Sequence, residues 1–479
     1  MNTYRRKSRI HKIITSIIEN IKIYCLNTSI HGFYHIAAPG RHWTERVLWL
    51  VVTSIAVWGV VDISLGQWQR YNENPTVVTL EKDFRTWRFN LPAVTACDQD
   101  RVDPDKLELA IKSRWNVGPD DGKYEYLKNF TKIVANSDLY NLGGYEHFKD
   151  DQSLNVDLFE LAIEVMPEYR IKTDSLETLP TQWTPVMTET GACYTINSIA
   201  IWDISIEKSN RNDTTDPVSC KYSSQSCYII LQCKNIIDFY VHSPYDVPNI
   251  MQPPYTTYPS LNVFTELSTL ETRAEDGVRE LPPRSRHCLY ADEPTKESRK
   301  VYSTNMCRQD CRSRLAMQLC GCIPFYYFYN DGPKCTPKGM FCLSAHAHRL
   351  AIFNGVKCMC SQQCLDSIFR EFSKDQQVWN KAPFHDQGTL RLKLRPPRER
   401  YSRYIVFHLQ DLIVSFGGAA GLFLGASFIS FVEIIYFILE CLLRFKSRGS
   451  RDATKVLVKK RSEPYENQIK ELNNILERI

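Results

Sequence analysis

The 479-residue chain lacks the short patterns that mark many enzymes: it has no G-x-S-x-G, no H-E-x-x-H and no P-loop. Its eleven histidines are scattered, and His287, beside Cys288, is read as structural. Neither an enzyme nor a cofactor is expected. Strong charge of one sign is missing as well. A net charge of +5 gives no global pull on nucleic acid, so no nucleic-acid partner is expected. Mean hydropathy is only −0.33, which excludes a transporter of many spans. It does not exclude a few spans on a soluble domain, because two spans vanish in an average. The most informative lack is local: lysine and arginine are absent from two long apolar runs.

The first run, Val47 to Leu65, has nineteen residues and one acid, Asp62. A membrane-crossing helix needs about 20 mostly apolar residues. The run begins too late for a removable signal peptide and lacks a small-residue cleavage site. Eight basic and two acidic residues precede it within 1–46, which places the N-terminus in the cytoplasm by the positive-inside rule. The second run, Leu412 to Leu443, holds 32 residues. As a straight helix it would be ~48 Å long, against a hydrocarbon core of ~30 Å. It must tilt steeply, extend beyond the bilayer or break. Gly417, Gly418, Gly421 and Gly425 lie in its first half, where a break is expected. Non-helical backbone at that depth survives only against protein or a water-filled cavity. Glu433 also lies in this run, and an intramembrane carboxylate points to function. The basic residues Arg444, Lys446, Arg448 and Arg451 follow, so the C-terminus is expected inside, as a solvated basic tail beside membrane lipid.

These spans predict cytoplasmic residues 1–46, a first transmembrane helix at 47–66, an extracellular domain at 67–403, a second transmembrane segment at 404–443 and a cytoplasmic tail at 444–479. Of seventeen cysteines, fifteen lie between Cys97 and Cys364, as an oxidising compartment allows. Asn129-Phe-Thr131 and Asn212-Asp-Thr214 are glycosylation sequons in the same region. A third, Asn27-Thr-Ser29, falls on the cytoplasmic side and is expected to be silent. Ten cysteines crowd the later part: 288, 307, 311, 320, 322, 335, 342, 358, 360 and 364. Cys307 and Cys311 share a face of a predicted helix over Thr304–Gln318; a second helix is predicted near Cys364–Ser373. Cys320-Gly-Cys322 and Cys358-Met-Cys360 are one residue tighter than the usual zinc pair, so disulfides are the preferred reading.

Several motifs stand in a fixed order. They are Asn27-Thr-Ser-Ile-His31-Gly32, Leu91-Pro-Ala-Val-Thr-Ala-Cys97, Gly191-Ala-Cys193-Tyr-Thr-Ile-Asn197 and Val241-His-Ser-Pro244. The ten-cysteine block follows, and then Gly417-Gly-Ala-Ala-Gly421-Leu-Phe-Leu-Gly425-Ala-Ser427 with Glu433. In this order they resemble the degenerin/epithelial sodium channel family, which includes acid-sensing and insect pickpocket channels. The second span and the length of the middle region look most like pickpocket channels.

The resemblance implies a membrane protein with two transmembrane helices and a large α+β, disulfide-rich ectodomain. The architecture is that of the trimeric acid-sensing channels, with a cysteine-rich thumb-like part at 281–373. The implied bridges are Cys97–Cys193, Cys288–Cys364, Cys307–Cys360, Cys311–Cys358, Cys320–Cys342 and Cys322–Cys335. Cys220, Cys227 and Cys233 are left unassigned. The implied function is a sodium-selective, amiloride-sensitive cation channel subunit of the plasma membrane, opened by an extracellular stimulus. Homo- or heterotrimers form with related subunits, and the permeant sodium ion takes the place of a cofactor. Gly425, Ala426 and Ser427 would form the selectivity filter. Small side chains there let three backbones approach the axis and present carbonyls to a dehydrating cation. His31 and Gly32 would influence gating, with Val414, Gly417, Gly418 and Gly421 along the pore segment. Glu433 would hold cations near the inner pore. Two departures stand out. Residues 98–192 lack the cysteine pair of acid-sensing channels, and Val414 stands where relatives have a small residue at a gating position. An ATP-gated two-span channel and a non-conducting receptor or adhesion subunit are the alternatives.

Overall fold

The computed structural model describes residues 15, 18–168, 170–175, 182–207, 216–222, 227–353, 355, 357–379, 381–382, 385–440 and 443. Asn212, Cys441 and the basic cluster Arg444, Lys446, Arg448 and Arg451 lie outside the described residues. The chain divides into two compact units. A terminal unit combines Met1–Pro75 with Val406–Ile479, and a central unit takes Thr76–Ile405.

Residues 18–27 form helix α1, followed by α2 (Phe33–Ala37) and the long α3 (Trp43–Glu73). The central unit opens with β1 (Thr76–Glu81), β2 (Arg88–Asn90) and β3 (Ala93–Asp98). Then come α4 (Pro104–Trp115), α5 (Tyr124–Ala135), α6 (Leu158–Glu164), β4 (Lys172–Ser175), β5 (Thr184–Thr188) and β6 (Gly191–Ile196). Next are β7 (Ser219–Lys221), β8 (Cys227–Cys233), β9 (Ile237–His242), β10 (Tyr255–Thr257), β11 (Leu261–Ala274), α7 (Pro283–Arg286) and β12 (Cys288–Leu289). The unit ends with α8 (Thr304–Cys320), α9 (Pro337–Ser344), α10 (Ala347–Ala351), β13 (Gln362–Gln363), β14 (Asp366–Val378), β15 (Gly388–Arg395) and β16 (Arg400–Ile405). Helices α11 (Leu409–Leu424) and α12 (Phe428–Glu440) belong to the terminal unit.

Among the described residues, α3 is the one unbroken helix long and apolar enough to cross a membrane. It is longer than the predicted 47–66. The His42 side chain accepts from the Thr44 N–H at its start, and its polar last turns keep the helical ladder to Glu73. Apolar side chains such as Leu48, Ile55 and Trp58 point outward, as lipid or a partner requires. Helices α11 and α12 pass the same test only together, bent by 81°. Within the segment predicted at 404–443, Tyr404 and Ile405 are the last residues of β16, paired with β1, and helix begins at Leu409.

In the central unit a seven-stranded sheet runs β1-β16-β11-β15-β8-β4, with β14 also paired along β11. A five-stranded sheet runs β10-β9-β3-β6-β5. Strict alternation builds the first. In β15, Leu390, Leu392 and Leu394 are buried while Arg391, Lys393 and Arg395 are exposed, the period of a half-buried strand. The leucines meet Ile229, Leu231, Phe239 and Val263 in one core, each contributing about 1.5–3 kcal/mol by burial. A second core gathers Leu107, Phe130 and Leu161 of α4–α6 with Tyr326, Tyr327 and Met340 of the cysteine-rich block. Asp103 starts α4 by accepting from the Asp105 and Lys106 N–H groups, and Asp157 does the same for α6.

Seven disulfides hold this unit. Cys97 joins Cys193 and Cys288 joins Cys364. On α8, Cys307 and Cys311 are bonded to Cys360 and Cys358; Cys320 joins Cys342 and Cys322 joins Cys335. The seventh, Cys220–Cys227, accounts for two of the unassigned cysteines and leaves Cys233 a buried thiol. Sulfur atoms cluster at Cys307, Cys311 and Cys360 because two bridges are adjacent, so they are not a set of thiolate ligands.

One predicted helix is a strand. The segment near Cys364–Ser373 enters β14, which pairs antiparallel with β11 from Leu261↔Val378 to Thr272↔Asp366. The Cys288–Cys364 bridge pins its start, and a long partner strand supplies backbone hydrogen bonds that outweigh a weak local preference for helix.

Candidate functional site

The residues singled out near both chain ends meet within the terminal unit. Helix α1 stops at Asn27, and the Thr28 N–H closes its last turn on the Tyr24 carbonyl at 2.9 Å. The chain then turns through 28–32. Gly32 adopts a φ of 88°, a left-handed value that favours glycine. A Cβ there would also collide with the Thr53 methyl of α3. Beyond the turn, the His35 ring stacks on Trp49 at 4.5 Å.

The turn docks against the break between α11 and α12. The His31 N–H donates to the Leu424 carbonyl at 2.9 Å, and the His31 ring fills the place where a Gly425 side chain would stand. Gly425 has a φ of 58° and ends α11 as its left-handed cap. Its N–H returns to the Gly421 carbonyl, and that of Ala426 to Ala420. Of the four glycines expected to weaken the segment, only Gly425 lies at the break. Gly417, Gly418 and Gly421 are inside α11, where the intact ladder tolerates them.

Ser427 immediately precedes α12, and its N–H donates to the Ser430 hydroxyl at 3.1 Å. The Ser430 hydroxyl lies 2.7 Å from that of Ser29. Ser29 donates to one oxygen of Glu433 twice, from its N–H at 3.1 Å and from its hydroxyl at 2.8 Å. Glu433, expected from the sequence to hold cations near the inner pore, accepts both of these bonds on one carboxylate oxygen. The sequence placed Ser29 only inside the Asn27–Gly32 motif and a silent sequon, with no role of its own, and did not mark Ser430. The available signal was the three-residue spacing of Ser427, Ser430 and Glu433, which puts them on one face of a helix.

Ala419 and Ala420 are buried, whereas Val414, Gly417, Gly418 and Gly421 are exposed. Val414 is 72% exposed. These four form a stripe along α11 that this single chain leaves uncovered. On α3, Gly59 gives Phe423 room: an added Cβ would lie 3.1 Å from its ring.

In the central unit, three sequence motifs sit side by side, since β3, β6 and β9 are neighbours in one sheet. Their polar residues bond to one another. Thr95 donates to the Thr195 hydroxyl at 2.9 Å and lies 2.9 Å from the His242 ring. The Asn197 amide donates to the Leu91 carbonyl at 2.9 Å. Burial pushes His242 down to about 4, so it is a neutral core residue. Asn129 is exposed on α5, while Thr131 of its sequon is buried and donates to the Leu127 carbonyl.

A family model described as amiloride-sensitive sodium channel matches residues 24–437. The chain is similar to Pickpocket protein 11 of Drosophila melanogaster, 23% identical over 452 residues, covering 87% of this chain and 75% of the relative. It is also similar to Acid-sensing ion channel 1C of Danio rerio, 21% identical over 471 residues, covering 90% and 85%. A solved proton-activated chloride channel aligns with 83% of this chain and 96% of its own at 6% identity. Its TM-score is 0.25, too low to inform the fold.

Proposed function

The chain belongs to the amiloride-sensitive sodium channel family, whose members are ion channels and not enzymes, and we propose that it is a sodium-selective subunit of a trimeric plasma-membrane channel. The observation that carries this is the break at Gly425–Ser427, where two helices that pass for a span only together meet at 81°. A broken backbone at membrane depth needs protein or water beside it. Three copies of Gly425-Ala426-Ser427 around an axis meet that need and supply backbone oxygens to a cation. The uncovered stripe Val414–Gly421 of α11 then faces the pore or a neighbouring copy. In this reading α3 and the α11–α12 pair are the two spans, the central unit is extracellular, and both termini are cytoplasmic. His31 and Gly32, seated beneath the filter, influence gating, and an extracellular stimulus acts through the central unit.

The test is voltage clamp of oocytes expressing the full chain, alone and with a related subunit, under a panel of extracellular stimuli. An amiloride-blocked current whose reversal potential follows sodium is expected. Ser427→Phe should abolish the current or its preference for sodium. A current opened by ATP and indifferent to amiloride would overturn the proposal.

A further inference from the structure

We propose that Ser29, in the turn after α1, is a positioning residue for the filter: its hydroxyl couples the backbone of Ser427 to the carboxylate of Glu433. This rests on the reading of Gly425–Ser427 as the filter.

The hydrogen atoms fix a direction for the chain of bonds. As a carboxylate, Glu433 can only accept, so the Ser29 hydroxyl proton points to it at 2.8 Å. The Ser29 oxygen is then left as an acceptor for Ser430, 2.7 Å away. Ser430, having donated, offers its own oxygen to the Ser427 N–H at 3.1 Å. Three links therefore run one way, from the filter backbone to a charge. Bonds that end on a charged group are shorter and stronger than neutral ones, and a directed chain reinforces its members.

Each link also has a local reason. Ser427 precedes α12 as its N-cap, and Ser430 is the third residue of that helix. A side chain at that position that bonds back to the cap's N–H is half of a capping box. A long glutamate or glutamine usually performs this task. The shorter serine hydroxyl can turn to several acceptors, and Ser29 selects the rotamer that faces Ser427. Ser430 is only 1% exposed, so water cannot readily replace that partner.

The turn carrying Ser29 is anchored independently of its hydroxyl. The Ser29 N–H donates to Glu433 at 3.1 Å, and the His31 N–H donates to Leu424. Ser29→Ala keeps both bonds. It removes the middle of the relay without undocking the segment. Glu433 accordingly serves as the anchor that holds the N-terminal turn against the filter.

Two measurements on the full chain test this. In the first, Ser29→Cys and Ser430→Cys are combined and oxidised, and the linked peptides are read by mass spectrometry; either change alone is the control. An intrachain 29–430 link is expected, and its absence overturns the proposal whatever the currents do. In the second, sodium-to-potassium permeability ratios are taken from reversal potentials. Ser29→Ala should lower the ratio by roughly five- to tenfold, the size expected when one buried hydroxyl loses its partner. Ser29→Thr, which keeps the hydroxyl, should restore it. Ser29→Ala with Ser430→Ala should be no worse than either alone. An unchanged ratio in Ser29→Ala, or additive effects, overturns the positioning role. If the link forms but the wild-type chain conducts no cation with any subunit, the channel reading fails; the positioning role falls with it, and only the bond chain stands.

Discussion

Asp246 sits at the start of α8, where its Oδ1 accepts from the Ser303 hydroxyl, the Val247 N–H and the Asn305 N–H. Burial nevertheless outweighs these bonds and pushes it up to about 7. An unfolded aspartate titrates near 3.9. Between those values the folded state holds the extra proton, so this group's stabilising contribution fades as pH rises through about 4 to 7. His242 acts in the opposite sense. Its folded value of about 4 lies below the ordinary ~6.5, so stability grows as pH rises from about 4 to 6.5. The two oppose each other. Asp246→Asn should leave the rising His242 term exposed, and its melting temperature should climb more steeply than wild type between pH 4.5 and 6.5. Parallel thermal-unfolding curves for the two proteins across that range would contradict the assignment. Cys233 gives a second test at this scale. Burial drives its thiol up to about 11, although its sulfur lies 3.1 Å from the Thr257 hydroxyl. Iodoacetamide should therefore modify Cys233 only after denaturation, as read by peptide mass spectrometry, since the thiolate is the reactive form.

At the scale of elements, α8 is tied to the turn between β5 and β6 by a buried ion pair. The Arg312 Nη1 donates to both Glu189 oxygens at 2.7 and 2.6 Å, and the Tyr327 hydroxyl donates to the same carboxylate. The two side chains are only 3% and 2% exposed. Removing one partner strands the other, so Glu189→Gln or Arg312→Met should each cost about 3–5 kcal/mol in chemical denaturation. The double change should cost less than the sum of the two singles. Neither residue stood out in the sequence, because a lone Glu and a lone Arg read as surface charges. The disulfide ladder differs: the late cysteines were visible by their density, but their partners came from the family resemblance and not from spacing. Severing Cys288–Cys364 should destabilise the unit by about 2–5 kcal/mol. It should loosen the start of β14, measured as faster amide exchange along 366–378.

At the scale of the whole molecule, the trimer proposed above would cover the exposed face of α11 with neighbouring copies and leave the outward apolar face of α3 to lipid or to a neighbour. A subunit of 55.6 kDa should accordingly be recovered in detergent at about three times its own mass, as light scattering corrected for detergent would measure. A monomer of unchanged fold would remove the reason given for the small residues of α11. The two chain ends were also legible only in part. Each declared a basic, membrane-adjacent character, but nothing in either stretch announced that the turn at 28–32 would dock on residues 424–433.

The sequence by itself determined what local chemistry can encode. The two apolar runs, the excess length of the second, the alternation in β15 and the caps of α4 and α6 all follow from neighbours along the chain. Only the tertiary structure decided which glycine breaks the second run. Gly425 is the one whose missing side chain leaves room for His31, and that distance spans nearly the whole sequence. It also decided that residues 366–378 extend as a strand, because β11 offers them a partner. Finally, it decided that Glu433 holds Ser29: a carboxylate's role is set by the donors that reach it, and those donors lie 404 residues away.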